Sequence, residues 1–199
     1  IKELRPLTVI PFDTHLMINE PVRQIQNYID AGSDIVTVHA EVCDESSFGE
    51  IHDLLKSNKV GVGLAINPDT SMPDWSKKFT PSLDQIIVMS VVPGKSGQKY
   101  IENTHEKTKN LMVNLKENNF TGYIESDGGV TLDNIGECFA DGARAFVGGS
   151  AIIGQTDVRL VIREFRNQVL RTRRKLLIQK ANELGGTELV NKWIDLHVI

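Results

Sequence analysis

An imidazole and a carboxylate each stand at the end of an apolar run of strand length. His15 lies in FDTHLM (12–17) and Asp127 in ESDGG (125–129). Brought together, such a pair can hold a divalent cation or pass a proton. A strand histidine also has a plain structural use, a satisfied hydrogen bond in the core, and FDTHLM alone leaves both readings open. Asp127 differs, because an acid directly before Gly-Gly at a strand end has little structural use. His39 and Glu41 of VHAE form a second polar pair, read as supporting the reacting groups.

Three glycine-bearing segments follow successive apolar runs: PGKSGQ (93–98), DGG (127–129) and GGS (148–150). Glycine lets backbone N–H groups approach an anion closely, and a helix starting after GGS would add partial positive charge. Tight turns also need glycine, but three such segments at consecutive strand ends point to a phosphate group.

These residues need a scaffold that gathers strand ends. Candidate strands are FDTHLM, 34–41, 60–67, 85–91, 122–128 and 143–149, mostly continuous and rich in Val and Ile, which suits parallel strands. Between them the period changes to that of a helix: Val22, Ile25, Ile29; Phe48, Ile51, Leu55; Leu132, Ile135, Phe139. Pro21 suits a first helical turn, and Gly32 and Gly142 stand where helices end. This makes six βα units. A closed (β/α)₈ barrel takes eight, and an open doubly wound sheet also accommodates six.

From Asp157 to about Glu183 one long helix is expected, with Val158, Val161, Phe165, Val169, Thr172 and Leu176 on its inner stripe. Arg171, Arg173, Arg174 and Lys175 read as its solvated face. A further amphipathic helix is expected through Leu189, Trp193 and Leu196. The whole of 1–199 reads as a single (β/α) domain, with 157–199 a helical extension packed on it.

The 199 residues carry 22 basic against 26 acidic groups, a net charge of -4, which gives no reason to expect nucleic-acid binding. No apolar run approaches the ~20 residues of a membrane span. Cys43 and Cys138 have no metal-ligand spacing, and the start lacks the layout of a secretory signal, so a cytoplasmic protein is expected.

Taken together, DTHLMINEP, AGSDIVTVHAE, GLAINPDT, IIVMSVVPGKSGQKYI, IESDGGVTLDNI and DGARAFVGGSAIIG resemble the ribulose-phosphate 3-epimerases, in order and spacing, from about residue 10 to 154. The resemblance implies a TIM (β/α)₈ barrel of the ribulose-phosphate-binding type. It implies interconversion of D-ribulose 5-phosphate and D-xylulose 5-phosphate by two aspartates working on opposite faces of C3. It also implies a divalent metal, zinc first, with iron, manganese or cobalt as alternatives, beside an enediolate, and a homo-oligomer, dimer or larger. By motif, His15 resembles a metal ligand that touches substrate, and Asp127 resembles both a metal ligand and one catalytic carboxylate. Gly94, Lys95, Ser96, Gly97, Gly128, Gly129, Gly149 and Ser150 match substrate and phosphate contacts. Met17 and Met89 match the methionines that wall the site.

The departures are specific. The family carries H-x-D-x-M-D-G on its second strand, supplying the other aspartate and another histidine, and this sequence has no such motif. The expectation is that strands one and two of the barrel lie outside this sequence, which opens near the helix before strand three. Asp195 and His197 of WIDLHVI are alternative ligands, although helical packing explains them equally. The loop VPGKSG places Val92, Lys95 and Ser96 where asparagine, an aromatic and glycine are usual, and Ser126 replaces an apolar residue. A phosphosugar-binding protein without catalysis is the alternative. Decarboxylases and aldolases of the same barrel group place a lysine among strand-end acids, and no strand here ends on one.

Overall fold

Six strands form where the sequence places them: β1 (Asp13–Leu16), β2 (Ile35–His39), β3 (Gly61–Ile66), β4 (Gln85–Met89), β5 (Tyr123–Asp127) and β6 (Ala143–Val147). The structure is a computed structural model and describes residues 1–95, 97–183 and 186. Ser96, the tail helix through Leu189, Trp193 and Leu196, and the alternative ligands Asp195 and His197 lie outside the described residues.

Every neighbouring pair of strands is parallel, and the spatial order is the chain order, β1 to β6. A doubly wound sheet reverses its order part-way, so that alternative is excluded. The result is a parallel half-barrel. Eight strands are not observed: among the described residues β1 and β6 are the sheet's edges.

The sheet is strongly curled. Four steps of ~4.8 Å would put β1 and β5 about 19 Å apart in a flat sheet. Yet His15 of β1 and Asp127 of β5 touch at 3.0 Å. Curling gives the strands two unlike faces. Outward, Val36, Val38, Val62, Leu64, Ile86, Val88 and Ile124 are at most 1% exposed and pack under the helices. Inward, the period of two places Thr37, His39, Gln85, Glu125 and Asp127, with a small apolar cluster of Ala65, Ile87, Met89 and Val91. Strands that read as apolar throughout therefore carry a polar concave face.

The helices are α1 (Ile25–Asp30), α2 (Glu45–Ser57), α3 (Asn103–Glu117), α4 (Ile135–Asp141) and α5 (Val158–Glu183). Between β3 and β4 only 3₁₀ turns occur, Asp74–Lys78 and Thr80–Ser82. Asp44 caps α2 through the Ser47 N–H at 2.8 Å. The α2 stripe of Phe48, Ile51 and Leu55 is fully buried, as its spacing predicts. The stripe through Leu132 is corrected: α4 starts only at Ile135, and Leu132 is exposed in the preceding turn. GGS does not open a long helix either. It enters a single π-helical turn, Gly149–Ile153, and α5 begins at Val158.

At ~1.5 Å per residue, the 26 residues of α5 span about 39 Å. Phe165 is buried against Val130 and Ile135, with Val161 and Val169 beside it. Gly136 lets the two helices approach, since a Cβ there would sit 2.7 Å from Thr172 Oγ1. The inner stripe ends at Thr172, because Leu176 is exposed. Arg171, Arg173, Arg174 and Lys175 are exposed too. Among the described residues no helix is long and apolar enough to cross a membrane.

Phe165 is the one large side chain of α5 that is fully enclosed by this cluster. Phe165→Ala is expected to cost about 3–5 kcal/mol in urea unfolding. A loss below about 1 kcal/mol would show that α5 is not held by this contact.

Candidate active site

The curl brings the polar ends of four strands into one hydrogen-bonded chain. His15 Nδ1 lies 3.0 Å from Asp127 Oδ2. His15 Nε2 lies 2.8 Å from His39 Nε2, with the rings nearly parallel at 4.9 Å. His39 Nδ1 is 3.2 Å from Glu41 Oε2, and Glu41 Oε1 accepts from the Asn67 N–H at 2.7 Å. Carboxylates only accept, so each ring meets its carboxylate through an Nδ1–H donor. His15 and Asp127 side chains are 13% and 15% exposed, sheltered but reachable.

Burial alone pushes the Glu41 carboxyl up. Hydrogen bonds from His39 and the Asn67 N–H outweigh it and hold the group at about 2. Deeper on the concave face the balance is opposite. Burial, then the charges of Asp13 and Asp127, push Glu125 up to about 8. Asp13 is raised as well, chiefly by burial. Beside them the Tyr123 hydroxyl donates to Gln85 Oε1 at 2.6 Å.

A cavity of about 790 Å³ opens over Asp127. Its wall includes Met17, Met89, Gly94, Lys95, Gly97, Gly128, Gly129, Gly149 and Ser150, all of them contacts that the resemblance implies. Met89 is buried and Met17 half exposed at the rim. Gly128 and Gly129 have φ of 116° and 63°, and a Cβ would strike Val91 at 2.3 Å and Tyr100 N at 2.4 Å. Both the backbone conformation and the close approach require glycine there. Ser90 fixes this turn: its N–H donates to Asp127 O at 2.7 Å and its Oγ to Gly128 O at 2.6 Å. On the opposite wall Gln98 Nε2 ties the loop after β4 by donating to Val92 O at 2.6 Å and Lys95 O at 2.8 Å.

Two residues escaped the sequence reading. Ser90 sits inside an apolar run, where nothing distinguishes it from a core serine. Lys107 looks like any helix-face lysine, yet its Nζ donates to the carbonyls of Asn67 and Thr70, the latter at 2.6 Å. Burial lowers its pKa to about 8.

A zinc site takes three or four protein ligands. Among the described residues no group of three or more His, Cys, Asp or Glu is arranged to hold a metal. His15 and Asp127 are two donors, and both ring nitrogens of His15 already have partners. These residues alone do not fit the metal that the resemblance implies.

The model of the ribulose-phosphate 3 epimerase family matches residues 1–153. The chain belongs to the ribulose-phosphate 3-epimerase family. It is 36% identical over 170 residues to the ribulose-phosphate 3-epimerase of Escherichia coli K12, covering 85% of this chain and 74% of that one. Against the Bacillus subtilis enzyme of the same name it is 36% identical over 167 residues, covering 83% and 76%. Against the chloroplastic ribulose-5-phosphate-3-epimerase of Arabidopsis thaliana it is 37% identical over 160 residues, covering 79% of this chain but 56% of that one. Among solved structures, KGPDC from Streptococcus mutans superposes with a TM-score of 0.65 at 16% identity, covering 86% of this chain and 77% of that one. Orotidine 5'-monophosphate decarboxylase from Sulfolobus solfataricus gives 0.63 at 11%, covering 85% and 80%. These two likenesses show the shared barrel-type fold.

Glu125 supplies a pH test of the concave face in this epimerase-family chain. Its folded pKa lies above the unfolded value, so its stabilising contribution is complete below about pH 4.5 and is lost as pH rises toward 8. Thermal unfolding is expected to show Tm falling between pH 5 and 8, with Glu125→Gln flattening the slope and raising Tm at pH 8. Identical slopes in the two proteins would contradict the burial argument.

Proposed function

We propose that the protein interconverts D-ribulose 5-phosphate and D-xylulose 5-phosphate, or a closely related ketose phosphate, by proton transfer at C3. What supports this reading is one juxtaposition: the Asp127 carboxylate, oriented by His15, faces the cavity whose opposite parts are backbone at glycine. A hydrogen on the carbon beside a ketone is acidic because the electrons it leaves behind delocalise onto oxygen. A carboxylate held at hydrogen-bond reach can remove it. The phosphate, seated on amides of Gly94, Gly97, Gly128, Gly129 and Gly149, fixes the sugar so that the same carbon is presented each time. Met17 and Met89 shield the resulting negative charge from bulk water.

The divalent cation of the family would stabilise charge on the enediolate oxygens. His15 and Asp127 are assigned to it by resemblance alone, and they fall short of a complete set. Proton removal by Asp127 stands independently of that deficit. The carboxylate for the other face is assigned by resemblance to H-x-D-x-M-D-G, which this sequence does not contain.

One observation favours a second reading, a sugar-phosphate-binding protein without turnover. Both nitrogens of His15 are engaged by Asp127 and His39, so a metal would have to displace one of these contacts. The experiment separates the two. Full-length protein, with and without added zinc and chelator, is assayed for epimerisation and for C3 deuterium uptake in D₂O. Turnover is expected, with Asp127→Asn lowering kcat by about 10³-fold and substrate Kd changing little. Tight binding of ribulose 5-phosphate without C3 exchange establishes the second reading. Neither binding nor exchange sinks both.

A further inference from the structure

Tyr100 is where the two glycine-bearing walls of the cavity meet. A Cβ on Gly129 would lie 2.4 Å from Tyr100 N and 2.8 Å from its Cα, so the turn after β5 rests on the Tyr100 backbone. The next residue, Ile101, donates its N–H to Ser90 O at 2.9 Å, and Ser90 holds Gly128. Residues 97–100 and the Gly128-Gly129 turn therefore keep their spacing only while Tyr100 keeps its place.

Behind Tyr100 stands a polar pair that the proposed chemistry does not use. The Tyr100 ring packs on His105 of α3 with centroids 4.7 Å apart. His105 Nδ1 is hydrogen-bonded to Asp141 Oδ2 at the end of α4. The Asp141 side chain is 1% exposed, and Lys109 Nζ lies 3.2 Å from its other oxygen. On the remaining edge of His105, Nε2 is 3.7 Å from Glu137 and 3.9 Å from Glu102. A buried carboxylate at a helix C-terminus is doubly unfavourable: it loses hydration and faces the helix's own partial negative charge. Apolar side chains would pack α3 on α4 without either cost. What the hydrogen-bonded pair adds is direction. It fixes the plane of the ring against which Tyr100 leans.

We propose that His105 and Asp141 are positioning residues of the anion cradle, holding Tyr100 and with it residues 97–100 against Gly129. The inference rests on the reading that this cavity takes a phosphorylated sugar. It is tested on the full chain with Asp141→Asn and His105→Gln. Inorganic phosphate affinity is measured by calorimetry well below each variant's Tm, and KM and kcat are measured with ribulose 5-phosphate. Phosphate Kd and KM are expected to rise roughly tenfold, about the effect of one lost charge-assisted hydrogen bond, with kcat within about twofold. His105→Gln keeps a donor for Asp141 while removing the ring, so it gives the answer should Asp141→Asn fail to fold. A lowered Tm with unchanged Kd and KM overturns the proposal, since the pair then only clamps two helices. Wild-type protein that fails to bind inorganic phosphate overturns it as well. A shifted phosphate Kd in proteins that show no turnover upholds the proposal and removes only the epimerase reading.

Discussion

The contact on which the site depends is His15 to Asp127, 112 residues apart in sequence and four strands apart in the sheet. Neither residue can react alone in the way proposed. They meet because the parallel sheet curls, and the curl is set by backbone twist and by helices wrapped on its outer face. The outer face does the holding: nearly all the fully buried branched side chains lie there, under α2 and α3. The inner face is thereby left free to be polar, and in this protein it is.

That division explains why the fold was legible and the inner face was not. Strand positions came from runs such as IVTVH and QIIVM, whose outward residues are apolar enough to mark a strand by themselves. Parallel pairing followed from helices alternating with strands, while the strand order, barrel-like or doubly wound, did not. What sequence could not separate was one face from the other, since Thr37, His39 and Gln85 sit among Val and Ile and interrupt them too rarely to show a period. Leu132 misled for a related reason. It shares the spacing of Ile135 and Phe139, but the chain is still in a turn there, where spacing has no facial meaning.

The candidate site was legible where backbone constraint demanded a residue type. Gly128 and Gly129 are required by φ and by the proximity of Val91 and Tyr100, so the sequence displays them. Groups that act by reaching across were invisible. Lys107 serves carbonyls of a loop 37 or more residues away, and His105 finds Asp141 on another helix. Their local sequences give no sign of a partner. Ser126 was visible as an oddity, without a reason. It lies on the outward side of β5, directly behind Asp127, near the Tyr100 hydroxyl and 3.5 Å from Ser90 Oγ.

Three carboxyl groups crowd the concave face, in unlike surroundings. Like charges this close cannot all ionise in a sheltered site. Glu125 is the most enclosed and has acidic neighbours in Asp13 and Asp127, so it holds its proton near neutrality. Asp13 is raised too, though Gln85 and His15 counter its burial. Asp127 differs from both: it faces the open cavity, accepts from His15 Nδ1, and has its own carbonyl fixed by Ser90. Unlike environments are how neighbouring acids on one face take different roles. The assignment of Asp127 therefore rests on its setting among the other two acids as much as on its motif.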